Sequence, residues 1–124
     1  MREKDLKLAV SEYLEYGTNQ GKWYADRLNS GEAIVIAGQS RRRITLCREG
    51  TADFIVIRRN RSPYNDWGGT VACCFADIIF IELKGDKGKT SPAQNAFKLL
   101  VEIQGAKYAI IRSVDELEAI LEAQ

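Results

Sequence analysis

The chain has 124 residues, 45% of them hydrophobic and 28% charged, with a net charge of +1. This is the size and composition of one folded domain; no apolar run approaches the ~20 residues of a membrane span, and the polar opening Met1-Arg2-Glu3-Lys4-Asp5 is not that of a signal peptide. The absence of histidine excludes histidine-based zinc sites, triads and general bases, and an odd set of three cysteines (Cys47, Cys73, Cys74) fits buried or half-buried thiols in a reducing cytoplasm.

Leu6, Ala9, Val10, Tyr13 and Leu14 recur at helical spacing, which predicts a helix over 3–16 with Gly17 as its stop. Glu3 lies one turn before Leu6 and leans toward the buried side, an odd place for a carboxylate. Short β-rich runs follow at 23–28, 33–37 and 43–48, and after the break at Gly50 at 51–58. Phe54-Ile55-Val56-Ile57 is apolar on both faces, as in a central strand. Residues 60–69 have loop composition, 71–75 is a strand or the end of that loop, and 77–84 is a buried strand around Ile78-Ile79-Phe80-Ile81. A polar turn over 85–89 leads to Ser91-Pro92-Ala93-Gln94, a capping box with proline at the first helical position. That helix carries Phe97, Leu100, Val101 and Gln104 on one face and stops at Gly105. A strand over 107–112 and a helix from Ser113-Val114-Asp115-Glu116 to Glu122, with the stripe Val114, Leu117, Ile120 and Leu121, complete the order. The strand–helix–strand over 77–112 is long enough for a parallel crossover. The expected architecture is α/β, a mixed sheet flanked by helices, in one domain over 1–124.

Charge is unevenly divided. Over 41–61, Arg41, Arg42, Arg43, Arg48, Arg58, Arg59 and Arg61 outnumber Glu49 and Asp53. Over 113–124, Asp115, Glu116, Glu118 and Glu122 have no base beside them. The basic stretch fits a polyanion partner; it fits a solvated hairpin with charged tips equally well.

Two strands carry acids where apolar residues are expected. Asp53 opens the Phe-Ile-Val-Ile strand and Glu82 ends Ile-Ile-Phe-Ile. Glu82 and Lys84 are two apart, so on a strand they project from one face. Such charges are costly unless paired or bound to a metal. If the two strands are neighbours, Asp53 and Glu82 converge. Two carboxylates without histidine suit a hard cation such as Mg²⁺, with the backbone carbonyl of Leu83 placed as a further oxygen ligand. Lys84 is then placed to orient a water or to neutralise charge on a phosphate. The set suits metal-assisted phosphodiester hydrolysis. A Glu-x-Lys triplet alone carries no information; the signal is the Gly-x-x-Asp turn before one strand and the Ser-Pro-x-Gln helix start after the other.

Together, Glu3, Gly50-Thr51-Ala52-Asp53, Ile81-Glu82-Leu83-Lys84-Gly85, Ser91-Pro92-Ala93-Gln94, Gly105 and Arg112-Ser113-Val114-Asp115-Glu116 resemble the VRR-NUC domain of the PD-(D/E)XK nuclease superfamily, most of all its small stand-alone phage and prophage members. The resemblance covers Glu3 to Leu121. One departure is Ala52, where the family pattern has a proline that would stiffen the turn. The resemblance implies a restriction-endonuclease-like fold, with Asp53 and Glu82 as Mg²⁺ or Mn²⁺ ligands and Glu3 as the N-terminal acid completing the metal site. It gives Lys84 the role of water-positioning base or electrostatic stabiliser, and makes Gln94 a glutamine that supports the site or faces the phosphate. It also implies a homodimeric, structure-selective DNA endonuclease that cuts four-way junctions, and 60–71 looks like an insertion between the two catalytic strands.

Blander readings stand beside these. Asp53 can cap its turn, Glu82 and Lys84 can form a strand-end ion pair, and Glu3 can be a dipole-favoured acid, with Glu12 a rival for its role. Gln94 can serve the capping box alone, or the capping box and the site together. Arg41, Arg42, Arg43 and Arg48 would be the phosphate-backbone footprint of a DNA binder. Trp23, Tyr24 and Trp67 can stack on bases but are more often core or interface residues. The rival functions are a catalytically silent nucleic-acid-binding subunit and a restriction-type sequence-specific endonuclease, which would need a recognition element.

Overall fold

The computed structural model describes residues 1–61 and 74–122. Helix α1 (Glu3–Asn19) is followed by β1 (Tyr24–Arg27), β2 (Glu32–Ala37), β3 (Ser40–Thr45), β4 (Phe54–Arg61), β5 (Cys74–Leu83), α2 (Pro92–Ile103), β6 (Lys107–Ile111) and α3 (Val114–Glu122). The main sheet has the order β1-β4-β5-β6: β1 and β5 flank β4 antiparallel, and β6 joins β5 in parallel. The fold is therefore α/β with a mixed sheet flanked by helices, and β4 is central as its two-faced apolar run implies. Among the described residues no helix is long and apolar enough to cross a membrane.

The core follows from strand alternation. Phe54 and Val56 pair with Ile81 and Ile79, so all four project from one face, with Leu83 and Ile111 beside them. Leu6, Val10 and Leu14 of α1 and Leu117 and Leu121 of α3 cover that face, all of them buried. Fully burying one such side chain contributes about 1.5–3 kcal/mol. On the other face Phe97 of α2 meets Phe80 edge-on, ring centroids 5.2 Å apart.

Several sequence expectations need correction. Helix α1 runs past Gly17, whose bare backbone lies against the Trp23 ring, leaving no room for a Cβ; the glycine is there for packing and not as a stop. The third strand is Ser40–Thr45 rather than 43–48, because Gly38-Gln39 makes a two-residue hairpin turn with Gly38 at φ +62° and Ala37 pairs at once with Ser40. The fourth strand starts three residues later than expected and extends through Asn60 and Arg61; the fifth starts earlier, at Cys74. The remainder of the loop expected at 60–69, the strand expected at 71–75 before Cys74, Trp67 and Cys73 lie outside the described residues. Trp23 is core, donating its indole N–H to the Leu14 carbonyl at 2.9 Å. Glu3 is exposed rather than turned inward. The α2 stripe is only partly used: Phe97 is buried, but Leu100 is 49% exposed.

Candidate active site

Register brings the two acids together. Phe54 pairs with Ile81 across the antiparallel β4–β5 ladder, so one step outward Asp53 stands opposite Glu82. Glu82, alternating with Ile81, projects from the α2 face, and the Asp53 carboxyl meets it at the strand end, just before β4. The two motifs meet because each marks the end of a strand in the same ladder, and residues directly opposite have Cβ atoms about 5 Å apart.

Asp53 is held firmly. Its Oδ2 accepts the Leu83 N–H at 2.7 Å, and its Oδ1 lies 3.6 Å from Nζ of Lys7. In an extended strand the N–H and C=O of one residue point to the same side, so the Leu83 carbonyl heads toward Asp53 as well. Glu82 is only 3% exposed, and its Oε1 has no hydrogen-bond partner among the described residues. Burial, and then the hydrogen bond and charge of Asp53, push its carboxyl from the ordinary 4.5 up to about 8, while the Lys84 ammonium pulls it down. Lys84, just past the end of β5, is half-buried and near enough for its ammonium to act on Glu82.

Both flanking helices close on this strand end. Gly50 (φ +88°) lies so near the first turn of α2 that a Cβ there would collide with the Ala93 carbonyl and come within 2.9 Å of the Gln94 nitrogen. Glycine at the head of Gly-x-x-Asp therefore lets the Asp53 turn dock on α2. Gln94 forms the expected capping box: its Oε1 accepts the Ser91 N–H at 3.0 Å, and its own N–H donates to Ser91 Oγ at 3.1 Å. Gly85, just past Lys84, sits under the start of α1, where an added Cβ would be 3.5 Å from the Glu3 nitrogen. Arg112 secures the 85–88 turn with hydrogen bonds to the carbonyls of Gly85 at 2.6 Å and Gly88 at 2.9 Å.

Glu3 is near enough to raise Glu82 weakly, the smallest of the influences on that carboxyl. Among the described residues, however, no three acidic or sulfur ligands gather in one group. The site brought together is Asp53, Glu82, Leu83 and Lys84, with Glu3 at its rim. Glu12 is exposed, farther along α1.

Two neighbours were missed in the sequence. Lys7 stands one turn after Glu3, and that i, i+4 spacing was the available signal. Tyr108 of β6 pairs with Phe80 of β5, and its hydroxyl is buried with no hydrogen-bond partner among the described residues. Burial, and then the charges of Glu82 and Asp53, push its pKa above the ordinary tyrosine value and keep it protonated. Nothing in Tyr-Ala-Ile-Ile separates it from an ordinary core tyrosine until the β5–β6 register is known. Between the sheet and α2 an open apolar cleft of about 620 Å³ is lined by Ile55, Ile78 and Phe80 on one side and Phe97, Leu100 and Val101 on the other.

The arginines divide. Arg41, Arg42, Arg43 and Arg48 are exposed, the first three on β3. Arg58 leaves the patch: its Nε is 3.1 Å from Asp77 Oδ2 and its Nη1 donates to the Leu121 carbonyl at 2.6 Å, tying β4 to the end of α3. No model of a known protein family matches the chain, and no curated protein matches it.

Proposed function

We propose that the protein is a metal-dependent DNA endonuclease with the PD-(D/E)XK fold of the VRR-NUC kind, hydrolysing phosphodiester bonds with Mg²⁺ or Mn²⁺. The observation that carries this reading is Glu82, a carboxylate 3% exposed, facing a second carboxylate, with a buried oxygen that has no partner among the described residues. Desolvating two facing acids is unfavourable unless a cation compensates. The donor set, all oxygen, fits a hard divalent ion. Asp53, Glu82 and the Leu83 carbonyl would hold it, with water completing its coordination. Such an ion, when bound, supplies Lewis acidity and a more acidic water.

The chain's own residues supply the rest. Leu83 N–H and Lys7 fix the Asp53 carboxylate. Lys84 orients the attacking water and offsets charge on the phosphate. Arg41, Arg42, Arg43 and Arg48 contact the DNA. One subunit carries one such site and cutting two strands takes two, so the working species is a homodimer with branched DNA, four-way junctions above all, as substrate. Incubation with single-strand, duplex, flap, fork and four-way-junction DNA in Mg²⁺ and in Mn²⁺ tests this. Junction cleavage that is lost in Asp53→Ala and Glu82→Ala, with DNA binding retained, is expected. Cleavage that persists in both variants removes this site from the reaction.

A further inference from the structure

Strands β2 and β3 form a separate two-stranded sheet, and among the described elements they pack on each other and on no other element. At the base of the hairpin the two legs are tied to each other: Leu46 N–H donates to the Gly31 carbonyl and Cys47 N–H to the Asn29 carbonyl, each at 2.8 Å, and Gly31 N–H to the Cys47 carbonyl at 3.2 Å. The hairpin projects as an arm. Register defines its two faces. Ile34 pairs with Arg43 and Ile36 with Arg41, so these four side chains share one face. Val35 pairs with Arg42 and, with Ala33 and Ile44, shares the other. Ile34 is 59% and Ile36 64% exposed, in a two-stranded ribbon that has marginal stability on its own in water. Exposed apolar side chains at such a place mark a contact surface.

Three features choose the occupant. The arm carries three arginines against the single acid Glu32, which lies 3.5 Å from Arg43 in an exposed ion pair that an incoming partner can displace; the arm keeps an excess of two positive charges, so its partner is anionic. Two identical arms would repel each other, which disfavours a second copy. Phosphate contact alone would leave Ile34 and Ile36 in water, whereas base edges offer both guanine acceptors for arginine and the thymine methyl for an apolar side chain. A two-stranded ribbon also fits the major groove, which is about 12 Å wide.

We propose that the β2–β3 arm enters the DNA major groove, with Arg41 and Arg43 reading guanine and Ile34 and Ile36 packing on thymine methyls. Arg42, on the opposite face, turns to the backbone. The arm gives the protein a sequence preference that no motif in the chain announces. This rests on the reading of the protein as a DNA enzyme and adds base recognition to it.

The test is binding to a pool of random-sequence duplexes with EDTA present to prevent cleavage. Half of the pool is treated with dimethyl sulfate, which methylates guanine N7 in the major groove. Wild type should enrich particular guanine-containing sequences, and N7 methylation within them should weaken binding about tenfold or more. The double variant Arg41→Lys/Arg43→Lys keeps the charge, and circular dichroism checks its fold. It should lose both the enrichment and the methylation effect while keeping the salt dependence of wild type. Binding by wild type without enrichment or methylation effect overturns base reading and leaves the nuclease proposal standing. Binding to a four-way junction but not to the duplex pool also overturns base reading and leaves the nuclease proposal standing, whereas binding to neither removes the DNA reading itself. A DNA-free dimer that Ile34→Ser/Ile36→Ser converts to monomer assigns the arm to a second copy and also overturns the proposal.

Discussion

Replacing Glu82 by glutamine should make the metal-free protein more stable at neutral pH while abolishing cleavage. The carboxyl titrates near 8 in the folded protein against an ordinary 4.5, chiefly because it is buried and faces Asp53. Between those pH values the folded chain binds more protons than the unfolded one, so stability falls as pH rises through the window. Below 4.5 both states are protonated and there is no penalty. From pH 4.5 to 7 the loss is about 3 kcal/mol, and by pH 8 and above it approaches about 5 kcal/mol, at about 1.36 kcal/mol per pH unit. Because Glu82 is only 3% exposed, solvent does little to screen the effect. Glutamine keeps the shape and cannot ionise, so Glu82→Gln should gain about 3 kcal/mol over wild type at pH 7, on the order of 10 °C in Tm for a chain of this size. The assay is urea unfolding in EDTA at pH 5, 6, 7 and 8. The wild-type midpoint should fall across the series, with the variant flatter. Adding Mn²⁺ at pH 8 should restore wild type, by about 2.7 kcal/mol at a hundredfold excess over Kd, and leave the variant unmoved. Parallel pH profiles for the two proteins would refute the claim that Glu82 is a desolvated acid.

Asp53→Asn should also remove Mg²⁺-dependent cleavage, and with the neighbouring charge gone the loss of stability with pH should shrink; the same urea series reads it. Gly50→Ala combines a left-handed φ with a collision against the Ala93 carbonyl, so a loss of about 3 kcal/mol is expected, measured by urea unfolding. Arg58→Ala strips Asp77 of its more buried partner and the end of α3 of its donor, with an expected cost of about 3 kcal/mol; DNA affinity per folded molecule should not change. Reversing Arg41, Arg42 and Arg43 to glutamate should weaken DNA binding severalfold at moderate salt without lowering Tm, since all three are exposed; unchanged affinity returns them to a solvated hairpin.

The parts legible in the sequence are those governed by short-range physics. Capping at Ser91, the apolar runs of β4 and β5, the Leu6–Leu14 stripe and the parallel crossover depend on neighbours a few residues apart. The pairing of Asp53 with Glu82 was legible only as a condition, because it needs β4 and β5 to be adjacent and in one register. The displacement of β3 has a local cause: Gly38-Gln39 is a complete turn and not part of a longer connection, so Arg41 and Arg42 lie on a strand and not in a loop. Arg58 was counted with the basic patch because its partners Asp77 and Leu121 are distant in sequence. Glu3 was turned inward by helical periodicity, but it sits in the first turn, where the helix has only begun to cover the sheet.

The placement of Glu3 bears on how the site gains its charge balance. Two acids meet at the strand end with two ammonium groups, Lys7 and Lys84, drawn from different elements. Among the described residues Lys7 is the ion-pair partner of Asp53, and Glu82 is left to be neutralised by a proton. In the absence of metal Glu82 therefore holds that proton near neutral pH. A divalent ion must displace that proton. Apparent metal affinity should thus rise about tenfold per pH unit below 8 and level off above it, because one proton is released per ion bound. Isothermal titration with Mn²⁺ in buffers of different ionisation enthalpy counts that proton directly. Release of one proton near pH 6.5 and none near pH 9 is expected, and binding with no proton release at pH 6.5 would mean that Glu82 is already ionised before the metal arrives.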